Sequence, residues 1–134
     1  MRLRYLLDTN ICIYIAKKKP TAVMKKFEKM EVGEIAMSMI TFGELLYGAN
    51  KSHSPNQAHK KLIELTTLIP ALPLNNDVAL RYGDIRLNLE KIGKPIGNND
   101  LWIASHACAL KVILVTNNLK EFNRVPNLKI ENWV

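Results

Sequence analysis

Four apolar residues, Val112-Ile113-Leu114-Val115, are followed at once by the polar run Thr116-Asn117-Asn118. A short, unbroken run of branched aliphatic residues is typical of a strand that is buried on both faces, as in a parallel sheet. The polar run marks the carboxyl end of that strand. This stretch therefore predicts a parallel sheet with polar side chains along one edge.

Strand-like and helix-like patterns alternate along the rest of the chain. Extended segments are predicted at residues 4–7, 34–38 and 70–74, the last at a sheet edge because of its prolines, and before Trp133. Helices are predicted at residues 11–16, 21–30, from 41, 58–68, from 76 or 77 to 92, and from 100 to about 110. This alternation favours an α/β fold, with a central parallel sheet flanked by helices on both faces.

Length and composition set limits on the class of protein. A chain of 134 residues is expected to form a single domain, residues 1–134. It lacks a signal-peptide pattern and any run near the ~18 apolar residues of a membrane span, so we expect a cytoplasmic protein. Cys12 and Cys108 follow no zinc-binding spacing and are expected to be reduced thiols. The 19 basic and 12 acidic residues give a net charge of +7, which favours a polyanionic partner.

Acidic residues follow the predicted strands. Asp8 comes directly after the first strand, Glu44 lies in the helix after the second, Asp100 opens a later helix, and Glu121 follows the last buried strand. Ligands of open parallel sheets bind beyond the carboxyl ends of the strands, so these acids are expected to gather there. Carboxylates share a site mainly when a cation neutralises them.

Each acid also has a purely structural interpretation. Asp8 fits a turn, Glu44 fits a capping box with Thr41, and Glu121 fits a solvated helix. Asp100 fits a helix cap, with Gly97 giving its loop backbone freedom. The residues alone leave these alternatives open.

Gathered together, the acids would suit Mg²⁺ or Mn²⁺, because hard cations prefer oxygen ligands. A basic protein with an acidic metal site predicts hydrolysis of a nucleic-acid phosphodiester by metal-activated water. A dehalogenase-like phosphatase would need an acid two residues after its nucleophilic aspartate, where this chain has Asn10. A P-loop enzyme is also disfavoured, since its glycine-rich motif is missing from the sequence.

Four sequence blocks and the final residues carry a resemblance to a known family. They are residues 7–11 (LDTNI), 40–49 (ITFGELLYGA), 93–104 (GKPIGNNDLWIA), 115–122 (VTNNLKEF) and 131–133 (ENW). In this order and at these separations, they resemble the VapC-type toxins of bacterial toxin–antitoxin pairs, which are PIN-domain ribonucleases. The resemblance implies a PIN fold and a Mg²⁺- or Mn²⁺-dependent endoribonuclease. It also implies a homodimer inhibited by a VapB-type antitoxin, and cleavage of tRNA, notably in the anticodon loop of initiator tRNA.

The same resemblance implies roles for individual residues. Asp8 and Asp100 would be the principal metal ligands, Glu44 the third acid and Glu121 the fourth. Many members of the family have an aspartate near Asn118, so here Asn118 is expected to be only a neutral oxygen donor. A PIN-like domain that binds RNA without cutting it therefore stays an alternative.

Other residues are expected to assist the site. The resemblance gives Asn10 and Thr116 supporting roles as hydrogen-bond partners, and Ser38 is a further candidate. Arg86, Lys91 and Lys94 are expected to form an RNA-facing rim, with a solvated basic helix face as the alternative. His106 is expected to be structural or on the surface rather than a general base.

Overall fold

Five parallel strands form one sheet in the computed structural model, which describes residues 2–134. The strands are β1 (Tyr5–Leu7), β2 (Ile35–Ser38), β3 (Ala71–Leu72), β4 (Ile113–Val115) and β5 (Ile130–Glu131). The helices are α1 (Thr9–Lys17), α2 (Thr21–Glu28), α3 (Met39–Asn50), α4 (Pro55–Leu68), α5 (Asn76–Lys91), α6 (Asn98–Leu110) and α7 (Leu119–Phe122). The predicted alternation of strands and helices is confirmed.

The strand order is β3-β2-β1-β4-β5, with β1 at the centre. Leu6 of β1 lies opposite Ala36 of β2 and Leu114 of β4, and all three are buried. Because parallel strands run in one direction, β1, β2 and β4 all end at the same edge of the sheet. That edge is the one at which the acidic residues were expected.

Alternate side chains of the central strand enter two separate cores. Tyr5 and Leu7 belong to a core packed by helices α1 to α4, whereas Leu6 belongs to a core packed by α5, α6 and α7. Side chains of a strand point alternately to its two faces, so burial of all three requires helices on both faces. The predicted α/β architecture, with helices on both faces, is therefore confirmed.

Four helices begin earlier than predicted: α1, α3 and α6 by two residues each, and α4 by three. α4 begins at Pro55, three residues early, because proline suits the first position of a helix. α3 begins at Met39 and its N-cap is Ser38, whose hydroxyl accepts from the Ile40 N–H at 3.2 Å. The capping box predicted for Thr41 and Glu44 is therefore wrong, and the Glu44 side chain is used elsewhere.

Both edge strands are only two residues long. Pro70 and Pro73 flank β3, as expected for an edge strand, and β5 occupies the opposite edge. Within residues 2–134, no helix has the length and apolar character needed to cross a membrane. Cys12 is buried and Cys108 half-buried, and both are free thiols as predicted.

Candidate active site

Asp8 lies at the end of β1, where the chain turns into α1. Its backbone N–H donates to the Val115 carbonyl at 3.0 Å, so the ends of β1 and β4 lie side by side. Its carboxylate accepts from the Ile11 N–H at 3.0 Å and caps α1. The turn interpretation of Asp8 is therefore correct, but the buried carboxylate also faces other acids.

Glu44 projects from α3 towards the first turn of α1. The Thr9 hydroxyl donates to its Oε1 at 2.5 Å, and the Asn99 amide donates to its Oε2 at 3.4 Å. The Thr41 hydroxyl lies 3.2 Å from that of Thr9. The Glu44 carboxylate is thus held between α1 and α6 by residues from both helices.

Asp100 and Glu121 lie in the first turns of α6 and α7. Glu121 accepts from the Gly97 N–H at 2.8 Å and from the Asn118 amide at 3.1 Å. It is also hydrogen-bonded to the Asp100 carboxyl group. The loop before α6 is therefore tied to α7 through Glu121.

Electrostatic coupling joins these four acids, which we call the carboxylate cluster: Asp8, Glu44, Asp100 and Glu121. Burial, the neighbouring Glu121 and the charges of Asp8 and Glu44 together raise the pKa of Asp100 to about 7, and burial has the largest effect. Burial also raises the pKa of Asp8, and the charge of Glu44 adds to that increase. Burial acts in the same direction on Glu121, but hydrogen bonds from Gly97, Asn118 and Asp100 hold its pKa below the ordinary value. The predicted acids have therefore come together.

The donor set suits a hard divalent cation, although the side chains are not arranged as ligands. Among residues 2–134, no three acidic, histidine or cysteine side chains converge on one point that could hold an ion. Instead, Asp8 caps a helix, Glu44 pairs with Thr9, and Asp100 pairs with Glu121. Carboxylate rotations would be needed for a shared ion, and a cation would relieve the repulsion that raises the pKa of Asp100.

Three of the expected supporting residues contact the carboxylate cluster, Thr116 and Asn118 through their side chains and Asn10 through its backbone. The Thr116 hydroxyl is hydrogen-bonded to Asp8, which opposes the increase in the Asp8 pKa, and it accepts from the Asn118 N–H at 2.9 Å. Asn10 acts on Asp8 through its backbone N–H, while its side chain is exposed. Asn118 contacts Glu121 as an amide donor rather than as the predicted oxygen donor.

Ser38 and His106 belong to the core rather than to the carboxylate cluster. The hydroxyl of Ser38 lies 2.8 Å from the Nδ1 of His106, and both side chains are buried. Burial lowers the pKa of His106. Ser38 therefore contacts no acid of the carboxylate cluster, and the structural interpretation of His106 is correct.

Thr9 and Asn99 are the site residues that sequence reasoning missed. Both lie next to residues that were singled out, in the blocks around Asp8 and Asp100, and both donate to Glu44. Gly97 contributes to the site by donating its N–H to Glu121. Its φ of −57° is one that any residue adopts, so the backbone freedom of glycine is not needed there. Their positions beside Asp8 and Asp100 were the only indication in the sequence. The packing of α1, α3 and α6 is needed to show that both residues pair with Glu44.

The three residues of the expected rim are exposed near the loop that leads into α6. Arg86 pairs with Glu90 at 3.2 Å and donates to the Tyr82 hydroxyl at 2.8 Å. Lys91 ends α5, and Lys94 lies in the following loop. On the other side of that loop, Arg124 donates to the Pro95 carbonyl at 2.8 Å.

Comparisons with known proteins give full-length matches. The family model described as PIN domain matches residues 5–128. The chain is 44% identical over 130 residues to Ribonuclease VapC2 of Rickettsia felis, covering 96% of this chain and 97% of that protein. It is 39% identical over 131 residues to the tRNA(fMet)-specific endonuclease VapC of Shigella flexneri, covering 98% of each chain.

Solved structures of toxin–antitoxin complexes share the fold. VapBC-1 from nontypeable Haemophilus influenzae matches with a TM-score of 0.90 and 39% identity, covering 98% of each chain. DNA-bound VapBC from Salmonella typhimurium matches with a TM-score of 0.92 and 36% identity, covering 98% of this chain and 99% of that one. With its parallel sheet and gathered acids, this chain belongs to the PIN-domain family, among its VapC ribonucleases.

Proposed function

We propose that this protein is the toxin of a toxin–antitoxin pair, a divalent-metal-dependent endoribonuclease that cuts tRNA. The observation that carries the proposal is the carboxylate cluster, in which burial and three neighbouring acids raise the pKa of Asp100 to about 7. Such repulsion is tolerated at functional sites where a cation or a proton is taken up. Its place beyond the ends of β1, β2 and β4 is that of a ligand site in an open parallel sheet.

Asp8, Asp100 and Glu44 would hold Mg²⁺ or Mn²⁺, with Glu121 as the fourth acid. When bound, the ion supplies positive charge for a phosphate oxygen and lowers the pKa of water. The protein's own part is orientation: the Ile11 N–H and Thr116 fix Asp8, while Thr9 and Asn99 fix Glu44. Such outer contacts hold ligand carboxylates in place.

The substrate we propose is tRNA, and the anticodon loop of initiator tRNA is the specific site. Two observations support it. The net charge of +7 favours a polyanion, and the Shigella flexneri relative is a tRNA(fMet)-specific endonuclease. The partner we propose is a VapB-type antitoxin, bound to a homodimer of this chain, since the matching solved structures are VapBC complexes.

A second candidate function is RNA binding without cleavage. It is favoured by the lack of three converging ligands among residues 2–134, and by Asn118, which gives the site a neutral side chain at a position where the family often has an acid. In that case RNA would bind equally well with and without divalent ions.

Cleavage of a purified tRNA pool separates the two candidates. Wild type, Asp100→Asn and the control Asp84→Asn, which removes an exposed acid of α5, are each incubated with Mg²⁺ or with EDTA. We expect cuts at fixed positions in wild type and control, abolished by EDTA and by Asp100→Asn. Undiminished cutting by Asp100→Asn would overturn the metal site, and metal-independent binding without any cutting would favour the second candidate.

A further inference from the structure

A small cavity of about 150 Å³ lies between α5 and the loop that leads into α6. Arg86, Glu90 and Asn98 are its polar residues, and its apolar lining includes Leu89, Ile96 and Leu101. Pockets for drug-sized ligands are about 300–1,000 Å³, so this cavity has room for only one small group. An apolar wall with a few convergent polar groups is the usual composition of a specific binding site.

A chain of hydrogen bonds holds the polar side chains in place. The Nε of Arg86 donates to the Glu90 Oε2 at 3.2 Å, and its Nη1 donates to the Tyr82 hydroxyl at 2.8 Å. That hydroxyl donates in turn to the Asn98 Oδ1. Since Asn98 accepts through its oxygen, its Nδ2 is the atom with which it can donate to a ligand.

The ring of Tyr82, whose hydroxyl belongs to this series of hydrogen bonds, is itself held in place. Tyr82 stacks on Trp102 of α6, with ring centroids 3.8 Å apart and an interplanar angle of 13°. The stack joins α5 to α6 and limits rotation of the tyrosine. Tyr82 and its hydrogen-bond partner Asn98 are therefore oriented before any ligand arrives, whereas Arg86 and Glu90 are more than half exposed and are held only by their own pairing.

The cavity adjoins the carboxylate cluster across the first turn of α6. Asn98 and Leu101 line the cavity, whereas Asn99 contacts Glu44 and Asp100 contacts Glu121. The first turn of α6 therefore contributes residues to both the cavity and the carboxylate cluster. An RNA strand with a phosphate at the carboxylate cluster can therefore place a nearby base in the cavity.

We propose that this cavity binds a guanine base of the RNA substrate and so helps to set the cleavage position, an inference that rests on the proposed function. Guanine has two adjacent donors, N1–H and N2–H, on its Watson–Crick edge. The Glu90 carboxylate accepts from both, since a carboxylate has about four lone-pair sites and Arg86 occupies one. The Asn98 Nδ2 donates to guanine O6.

The other bases fit the same groups less well. Adenine, cytosine and uracil each lack a pair of adjacent donors on that edge, so each would give Glu90 one hydrogen bond at most and would place an acceptor atom beside its carboxylate. A site that hydrogen-bonds one ligand discriminates against another that lacks those donors, and here the repulsion between acceptor atoms adds to the loss. RNA-binding proteins usually read single-stranded bases in this way, on exposed edges.

Nucleotide binding tests the cavity without any cleavage. GMP, IMP and AMP are titrated into the protein in EDTA, and amide NMR shifts are followed at α5 and α6. We expect shifts around Glu90 and Asn98, with GMP bound about tenfold more tightly than AMP. IMP, which lacks the N2 amino group, should fall between them. Equal affinity for GMP and AMP, or shifts confined to other parts of the chain, would overturn the proposal.

Two variants connect the cavity to cleavage. Glu90→Gln replaces one acceptor by a donor and should abolish the preference for GMP, whereas Asp84→Asn, an acid of the same helix outside the cavity, should retain it. On RNA with randomised positions, Glu90→Gln should lose the enrichment of guanine near the cut. Unchanged cut positions in Glu90→Gln would overturn the guanine site while leaving the nuclease intact. Absence of cutting by wild type would instead overturn the proposed function. The GMP titration would still show whether the cavity prefers guanine.

Discussion

Asp100 donates a hydrogen bond from its protonated carboxyl group to the carboxylate of Glu121, and this bond joins the first turns of α6 and α7. The pair is asymmetric. Burial and the neighbouring acids raise the pKa of Asp100 to about 7, whereas Glu121 has a pKa below its ordinary value. Below pH 7 the pair therefore carries about one charge without a cation, and the second charge is added only as the pH rises past about 7.

Stability of the metal-free protein should fall as the pH rises from 5 to 8. The folded state binds the Asp100 proton more tightly than the unfolded chain does. The stabilisation that this proton provides is therefore complete below pH 3.8, the pKa of the carboxyl group in the unfolded chain. It is lost as the pH rises past about 7, the pKa in the folded state. Thermal unfolding in EDTA should show a smaller fall for Asp100→Asn. Burial lowers the pKa of His106 and gives the opposite trend in both proteins, so the difference between them isolates Asp100. Identical pH profiles would contradict the assignment.

Mn²⁺ or Mg²⁺ should stabilise wild type through Asp8. At about 100 times the dissociation constant, a ligand specific for the folded state adds about 2.7 kcal/mol to the free energy of unfolding. Asp8→Asn should lose most of this gain but keep the cap of α1, because an amide oxygen still accepts from the Ile11 N–H. Thermal shift measurements with and without metal provide the test. The matched control is Glu28→Gln, at the exposed end of α2. If metal stabilised Asp8→Asn as much as wild type, Asp8 would not be a metal ligand.

Removal of the Thr9 hydroxyl should impair activity more than folding. Thr9→Val deletes the donor to Glu44 with little change in shape, and loss of such an outer contact lowers metal affinity or activity by about 10- to 100-fold. Thr9→Ser retains the hydroxyl and should stay close to wild type. Cleavage rates at several Mn²⁺ concentrations, together with the melting temperature, distinguish the two effects. If valine and serine behaved alike, the hydroxyl would have no positioning role.

Two glycines beside the site should respond differently to alanine. Gly93, at the end of α5, has a φ of +70°, a conformation that costs an alanine about 1–2 kcal/mol. At Gly97 the φ is −57°, and an added Cβ would lie 3.5 Å from the Glu121 Oε1, an ordinary contact. Gly97→Ala should therefore change the free energy of unfolding by less than about 0.5 kcal/mol. Urea unfolding of both variants measures this, and a larger loss for Gly97→Ala would contradict it.

Lys94 should contribute to RNA affinity through charge alone. Each phosphate contact on a single strand changes the slope of log affinity against log salt by about 0.7. Lys94→Gln should reduce the slope for tRNA by about that amount, whereas Lys111→Gln, with the same charge change at the far end of α6, should not. Binding is measured in EDTA at several salt concentrations. Equal slopes for the two variants would mean that Lys94 makes no phosphate contact and affects RNA affinity only through the net charge of the protein.

Apolar patterning was sufficient to predict the sheet, because Leu6, Ala36 and Leu114 had to be buried on one face while their neighbours were buried on the other. The position of the acids followed from the strand ends. That the chain forms one domain over residues 1–134 stays a prediction.

Pairings between helices were beyond the reach of local patterns. The spacing of Thr41 and Glu44 fits a cap within one helix, but Glu44 pairs with Thr9, which is 35 positions away. Similarly, Ser38 is used by His106, 68 positions further along the chain. Such contacts depend on how α1, α3 and α6 pack on the sheet, and spacing in the sequence carries no information about that packing.

The two-residue edges of the sheet have a consequence for behaviour at high concentration. A long, flat edge strand is a template on which another molecule can extend the sheet, and such pairing leads to aggregation. Here β3 offers two residues between prolines, and β5 offers only Ile130 and Glu131. Few unpaired backbone groups are therefore exposed to a neighbour, so the chain is poorly suited to edge-to-edge assembly. Lengthening either edge by engineering would remove that protection before it disturbed the carboxylate cluster.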